Sequence, residues 1–554
     1  MRVSAVLLLT AAPALAAAQG VESQKFMVVA AQHLAAEAGA DMLRAGGNAV
    51  DAAVAVGYAE AVVDPCCGNL GGGGFLTAHL ADGRDIFLDF RETAPAAATR
   101  DMYLDASGNP IPGASVFGWK AVAVPGSVLG LDTALAKWGT LPRAKVMAPA
   151  IHLARDGFLL TPADTKILDA GRLDADPDAR KIFRHADGSH LQAGDRLTQP
   201  DLADTLAAIA NQGPDAFYQG RIPAAVAAAS HDGGGIVSVA DFAGYRVTTA
   251  EPLRCAYRGY AILSAPPPSS GGVTLCEILN VLSGYDLHGM GFHSAPEVHV
   301  LAEAMRHAFL DRNTLLGDPA FVANPVEHLL SADYAAEIRD KIGERATPSA
   351  DLAPGTPPHE KPETTHYSVL DAAGNAVAVT YTINGLFGAS VMAPGAGFLL
   401  NDEMDDFAVK PGAANMFGLV QGARNEIAPH KRPLSSMAPT VVLRDGHVAM
   451  VLGSPGGSRI ITTVLEVLLN VIDHGMTAPE AVAAPRLHLQ WQPDVLFAED
   501  SALPPTTASL LQWMGYTVTK SPPWGAAELI LVGPGGKMVG ANDPRRPAGA
   551  AVGE

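Results

Sequence analysis

The residues best placed for chemistry are Thr364-Thr365-His366, directly after ATPSADLAPGTPPHEKPE, a stretch dense in proline and charge. A threonine hydroxyl is a poor nucleophile at neutral pH and needs a base beside it. No base adjoins Thr364 while it is mid-chain. If the bond between Glu363 and Thr364 is cut, a free α-amino group appears on the threonine itself. The pKa of such a group is about 8, so a useful fraction is neutral at about pH 7–8. Nucleophile and base then share one residue. Residues 345–363 show no apolar periodicity and read as an exposed linker that a cut could reach. Without that cut, the same three residues are merely the start of a strand.

Hairpins and helices must hold such a residue in place. His366–Leu370 and Ala376–Thr382 read as strands flanking a turn at 371–375. Phe75–Leu80 and Ile86–Phe90 flank Asp82-Gly83, and Val441–Leu443 and Ala449–Leu452 flank Asp445-Gly446, both good hairpin signals. One helix ends at Arg44, with Gly46-Gly47 beyond it as a C-cap. Val50–Val63 reads as a buried apolar helix, Arg459–Ile472 as another, and residues 125–345 as mostly helical. Gly71 to Gly74 allow unusual backbone angles and close approach of neighbouring chain or ligand. They do not form a GxGxxG fingerprint. Residues 408–433 read as a loop bearing glycine and asparagine. With no internal repeat, these elements predict a layered α/β protein with much antiparallel sheet.

The chain has 554 residues, 48% apolar and only 17% charged, which is globular and not disordered text. Its net charge of -19 argues against nucleic-acid binding, which needs a cationic surface. It leaves room for a local arginine to capture a carboxylate. MRVSAVLLLTAAPALAAAQG reads as a secretory signal peptide, expected over residues 1–18, and so predicts a secreted or periplasmic protein. No later segment is a membrane span by length. Cys66, Cys67, Cys255 and Cys276 are too few for a disulfide framework. Their spacing leaves a single disulfide and buried free thiols both open.

The run TTHYSVLDAAGNAVAVTYTINGLFGASV, then GFLLNDEMDDFAVKPG, KRPLSSMAPT and GSPGGSRI, resembles the γ-glutamyltransferase (γ-glutamyltranspeptidase) family. Upstream, GGNAVDAAVA, GGGGF, DFRETAP, PPPSSGG and RHAFLDRNTLLGDPAF continue the resemblance, and NDPRRPAGAAVG ends it. The resemblance spans nearly the whole mature chain in the right order. It implies a four-layer αββα sandwich of the N-terminal-nucleophile hydrolase type. It also implies a precursor that cuts itself between Glu363 and Thr364, giving a large subunit (19–363) and a small one (364–554) that form a heterodimer. The expected reaction transfers the γ-glutamyl group of glutathione or a related amide, through an ester on Thr364, to water or to an amino acid or peptide acceptor. No metal or organic cofactor is implied.

The same resemblance distributes roles. Thr382 orients and activates the nucleophile, Asn384 contacts the substrate, and Gly456-Gly457 form the oxyanion hole. Glycine suits that last role because no side chain obstructs the backbone donors. A γ-glutamyl end carries an α-ammonium and an α-carboxylate. Glu403 and Asp406 suit the cation, Arg91 can fork onto the anion, and Ser435-Ser436 can donate hydroxyl hydrogens to it. Asp405 and the PPPSSGG segment have structural roles, and His366 is a packed strand residue, not a base. Residues 410–429 resemble the family's lid loop. Phe417 stands there in place of a common tyrosine, which weakens lid anchoring, and Asp402 replaces a common asparagine. Two alternatives remain: a glutaryl-type cephalosporin acylase, for which Glu403 and Asp406 are wasted, and a non-catalytic binding protein, which would have lost Thr364, Thr382 or the glycine pair.

Overall fold

The computed structural model describes residues 20–349 and 364–554. The leader expected at 1–18, Glu363 and most of the linker lie outside the described residues. Two seven-stranded sheets, antiparallel throughout, stack against each other. In one the strand order is Ala550–Gly553, Met27–Ala30, Thr365–Leu370, Ala376–Thr382, Gly73–His79, Asp85–Asp89, Thr248–Ala250. In the other it is Val21–Ser23, Met538–Asn542, Glu528–Val532, His447–Gly453, Thr440–Arg444, Tyr260–Ser264, Leu253–Tyr257.

Period-2 side-chain alternation builds the layers. Met27, Val29, Ala376 and Ala378 face the second sheet, meeting Val441, Val451 and Ile530. Val28, Ala30, Val377 and Val379 face the other way, toward helices. There lies Ala49–Val63, every residue of which is buried, with Asn48 and Asp51 closing a capping box at its start. On the far side, helices Gly271–Leu282 and Arg459–Ile472 cover the second sheet. The result is the αββα sandwich.

Strand order also explains how two subunits stay together. The strand following Thr364 lies between Met27–Ala30, from before the linker, and Ala376–Thr382, from after it. Ala550–Gly553 closes over the outer edge of Met27–Ala30. Cutting the linker therefore leaves one continuous sheet built from both pieces.

The structure sharpens three expectations. The stretch 125–345 is mostly helical but also contains Leu253–Tyr257 and Tyr260–Ser264, paired around a tight turn. Arg258 and Gly259 both have positive φ there, and arginine is an unusual residue for that turn, so the sequence carried no signal. None of Gly71 to Gly74 has a positive φ. Their value is closeness alone: a Cβ on Gly71 would lie 2.0 Å from the Leu399 carbonyl oxygen, and one on Gly72 1.9 Å from that of Thr382. All four cysteines are paired, Cys66 with Cys67 and Cys255 with Cys276. The second pair ties a strand to the helix packed over it, a proximity set by the fold.

Candidate active site

The hairpin register fixes the centre of the site. Thr365 pairs with Tyr381, which places Thr364 opposite Thr382 at the end of the ladder. The two hydroxyl oxygens are 3.3 Å apart, and both side chains are buried. Thr382 Oγ1 also accepts the Asn384 backbone N–H at 2.8 Å. Asn384 has φ 73°, a left-handed conformation that asparagine tolerates, so the chain turns sharply into the site. Its side-chain amide donates to the Asp402 carbonyl. His366 is buried between Thr380 and Ser368, and burial pushes its pKa down to about 3. It stays neutral and is no base for Thr364, as expected.

Glu403 and Asp406 lie on one short 3₁₀ turn, Glu403–Asp406. Residues three apart eclipse in that geometry, so both carboxylates point the same way. Both grip the Arg91 guanidinium, Glu403 at Nη1 and Asp406 at Nη2. Glu92 lies 3.7 Å from the same guanidinium, with both carboxylate oxygens unpartnered among the described residues. Burial raises the Glu92 carboxyl to about 7 and pushes Glu403 well above its usual range, against the pull of Arg91. An arriving cation would draw these acids toward their ionised forms. Arg91, expected to fork onto a substrate carboxylate, already forks onto these two acids.

Ser435 and Ser436 face the same cavity as Arg91, Glu403 and Asp406. PPPSSGG packs behind them, as expected of a structural segment. Ser270 donates its N–H and its hydroxyl to the Ser435 carbonyl, and Ser435 N–H returns a bond to Pro268. Ser435 Oγ accepts from Met437 N–H, leaving its hydrogen available. Ser436 Oγ accepts from Arg312, a residue that sequence reasoning passed over although it lies within the quoted RHAFLDRNTLLGDPAF.

Gly456 and Gly457, at φ 142° and 53°, precede helix Arg459–Ile472. Among the described residues neither N–H meets an acceptor, so both are available to an oxyanion. Gly457 lines the cavity with Thr364, Thr382 and Asn384. The cavity between these residues and the charged end has a volume of about 20 Å³, room for about one water molecule. The Phe417 ring closes it, resting on Gly457. The ring offers no hydroxyl, so the lid is fastened through its backbone instead. Met416 N–H donates to Asp405, whose other oxygen takes the Ser115 hydroxyl at 2.5 Å. Gln490 donates to the Phe417 carbonyl at 3.2 Å. Asp405 is thus the lid's anchor. Asp402, the other departure, accepts the Gly385 N–H on one oxygen and has no partner for the second among the described residues.

The structure thus gathers every expected site residue it describes; Gly456 alone does not line the cavity wall, and Glu363 lies outside the described residues. A family profile described as Gamma-glutamyltranspeptidase matches residues 35–553. The chain is 52% identical over 546 residues to a "Glutathione hydrolase proenzyme" of Pseudomonas sp. (strain A14), covering 96% of this chain and 95% of the relative. It is 47% identical to the protein of the same name from Escherichia coli (strain K12), covering 95% and 91%. Among solved structures, a cephalosporin acylase from Bacillus halodurans superimposes with a TM-score of 0.86 at 26% identity, covering 99% of both chains. The Thr364–Thr382 hydroxyl pair, an αββα frame and matches along almost the whole length converge: the chain belongs to the γ-glutamyltranspeptidase family of N-terminal-nucleophile hydrolases and is an autoprocessing enzyme.

Proposed function

We propose that the enzyme is a γ-glutamyltransferase with glutathione hydrolase activity, cut between Glu363 and Thr364 into a large subunit (19–363) and a small one (364–554). The observation that carries this is the cavity itself. A threonine hydroxyl paired with a second threonine sits at one end, and an acid-rich cluster around one arginine at the other. The freed α-amino group of Thr364 takes the hydroxyl proton as Oγ1 attacks the γ-carbonyl carbon. Gly456 and Gly457 N–H groups receive the negative oxygen. The tetrahedral species collapses, the amine leaves with the proton, and an ester on Thr364 remains. Water or an acceptor amino group, losing its proton to the same α-amine, then releases the γ-glutamyl group.

Charge favours this over a glutaryl-type acylase. The three acids around Arg91 offer acceptors, and counter-charge on ionising, to an arriving α-ammonium, which γ-glutamyl has and glutaryl lacks. Thr364, Thr382 and the glycine pair are all present, which speaks against a non-catalytic binding protein. The leader text supports a secreted or periplasmic site of action. The test is maturation and product analysis. The small fragment should begin Thr-Thr-His-Tyr-Ser, and Thr364→Ala should block both cleavage and turnover. Mature protein should cleave glutathione, faster with a dipeptide acceptor, and should act poorly on glutaryl amides. A different fragment start, or an active Thr364→Ala protein, refutes the proposal.

A further inference from the structure

Cys66 and Cys67 are neighbours in sequence, and their disulfide closes a small ring that includes the peptide bond between them. The ring fixes the directions of both cysteine carbonyls. Those carbonyls hold the turn that follows Thr382. Ile383 N–H donates to the Cys67 carbonyl at 3.2 Å, and Phe387 N–H to the Cys66 carbonyl at 2.8 Å. Between these two bonds stands Asn384, whose φ of 73° turns the chain at the cavity wall. The turn is pinned at both ends to one disulfide ring.

The two sulfurs have unlike surroundings. Cys67 Sγ accepts from Arg546 Nη2 at 3.2 Å, whereas Cys66 Sγ lies 3.1 Å from Asp64 Oδ1. A neighbouring cation lowers a thiol's pKa and makes it the better leaving group. Cys67 is therefore the leaving sulfur and Cys66 the one attacked. Cys66 also has space beside it: a cavity of about 10 Å³, room for one water at most, lined in part by Ile167 and Phe387. Ile167, on helix Pro162–Ala170, also lines a larger pocket of about 270 Å³. The charged residues lining that pocket are Lys166, Arg545 and Arg546, all basic. One short helix thus walls both spaces, and a shift of it joins them. Both sulfurs are buried, so exchange waits on that local opening.

We propose that Cys66–Cys67 is a thiol–disulfide exchange site for a small anionic thiol, and that opening it loosens the turn carrying Asn384. The entering thiolate attacks Cys66 Sγ, a mixed disulfide forms there, and Cys67 leaves as a thiolate beside Arg546. A second thiolate attacks the small thiol's own sulfur in that mixed disulfide. Cys66 leaves and takes a proton from water. Two small thiols have then been oxidised to one disulfide, and the cysteine pair has gained the two electrons. With the ring open, the Cys66 and Cys67 carbonyls are free to turn away from Phe387 and Ile383. Glutathione, the donor proposed above, belongs to this class of thiol, but the exchange site does not depend on that assignment.

The experiment treats mature enzyme, without denaturant, with 2-mercaptoethanesulfonate, an anionic thiol that carries no γ-glutamyl group. Alkylation and peptide mapping score each cysteine, and KM is read on a γ-glutamyl anilide. Cys66 and Cys67 should become alkylated, and KM should rise about 2- to 10-fold, the weight of one hydrogen bond. Reoxidation should reverse both changes. In acid-quenched early samples the thiol adduct should sit on Cys66. Cys66→Ser with Cys67→Ser should show the raised KM from the start and ignore the thiol, while Cys255→Ser with Cys276→Ser should respond as wild type does. Neutral 2-mercaptoethanol should open the pair more slowly, and Lys166→Glu should narrow that difference. Cys66 and Cys67 left unalkylated would overturn the site, and alkylation with KM unchanged would overturn its coupling to Asn384. Wild-type protein inactive on the anilide would sink the donor reading instead, and the alkylation result would still decide the exchange site.

Discussion

Adding a single methyl group at Gly457 tests the lid and the oxyanion hole together. A Cβ there would lie 2.5 Å from the Phe417 ring, where carbon atoms ordinarily sit about 3.5–4.0 Å apart. The residue also has φ 53°, which costs a side-chain-bearing residue roughly 1–2 kcal/mol. The ring cannot simply retreat, because it is buried in the hydrophobic core while Gln490 holds its backbone carbonyl. Overpacking of this kind costs about 1–3 kcal/mol. Gly457→Ala should therefore lower kcat/KM on a γ-glutamyl anilide by roughly 30- to 5,000-fold, taking tenfold per 1.36 kcal/mol. Phe417→Ala removes the clash but not the backbone cost. In a double-mutant cycle the double variant should be about 5- to 150-fold better than the product of the single effects. Gly456→Ala is the control: its Cβ would meet nothing closer than 3.4 Å, so it should be impaired with no coupling to Phe417. A cycle without coupling at Gly457 would show that the ring does not rest there in the working enzyme, and the account of the lid would fail.

The remaining predictions use other parts of the site and frame. Thr382→Ala removes the oxygen between Thr364 and the Asn384 N–H; it should cut kcat about 100-fold or more in single-turnover assays, with KM little changed, while Thr382→Ser keeps most activity. Asp402 has a folded-state pKa pushed well above its usual value by burial, so its contribution to stability is complete below the unfolded pKa and is lost as pH rises toward the folded one. Asp402→Asn keeps the acceptor for Gly385 N–H and removes that loss, so its unfolding midpoint relative to wild type should climb from about pH 4 to pH 8; a constant difference would contradict it. Cys255→Ser with Cys276→Ser opens a loop of sequence separation 21 and should cost about 3 kcal/mol in urea unfolding, with kcat/KM unchanged because the pair lies away from the cavity.

Local chemistry decided which parts of this structure could be read from the chain. The hairpins at Asp82-Gly83 and Asp445-Gly446 were legible because those dipeptides accept the turn's backbone angles, and the structure places strands at Gly73–His79, Asp85–Asp89, Thr440–Arg444 and His447–Gly453. The hairpin at Arg258-Gly259 was not, because arginine carries no such mark. Helix Arg459–Ile472 was read to the residue, since its apolar pattern is long and periodic. Pairing of Cys255 with Cys276 depends on a helix packing over a strand, which spacing does not encode. The reason for Gly72 lies across the sheet, at the Thr382 carbonyl, and appears only once the register is known.

The site divides the same way. Thr364, Thr382, Asn384 and the glycine pair were named from motif resemblance, and each owes its place to a turn or hairpin close to it in sequence. The charged end is different, because charge balance is a property of the assembled cavity. Glu403 and Asp406 were visible as acids three apart, but their joint grip on Arg91 needs the 3₁₀ turn that aligns them and the strand end that delivers Arg91 from 312 residues away.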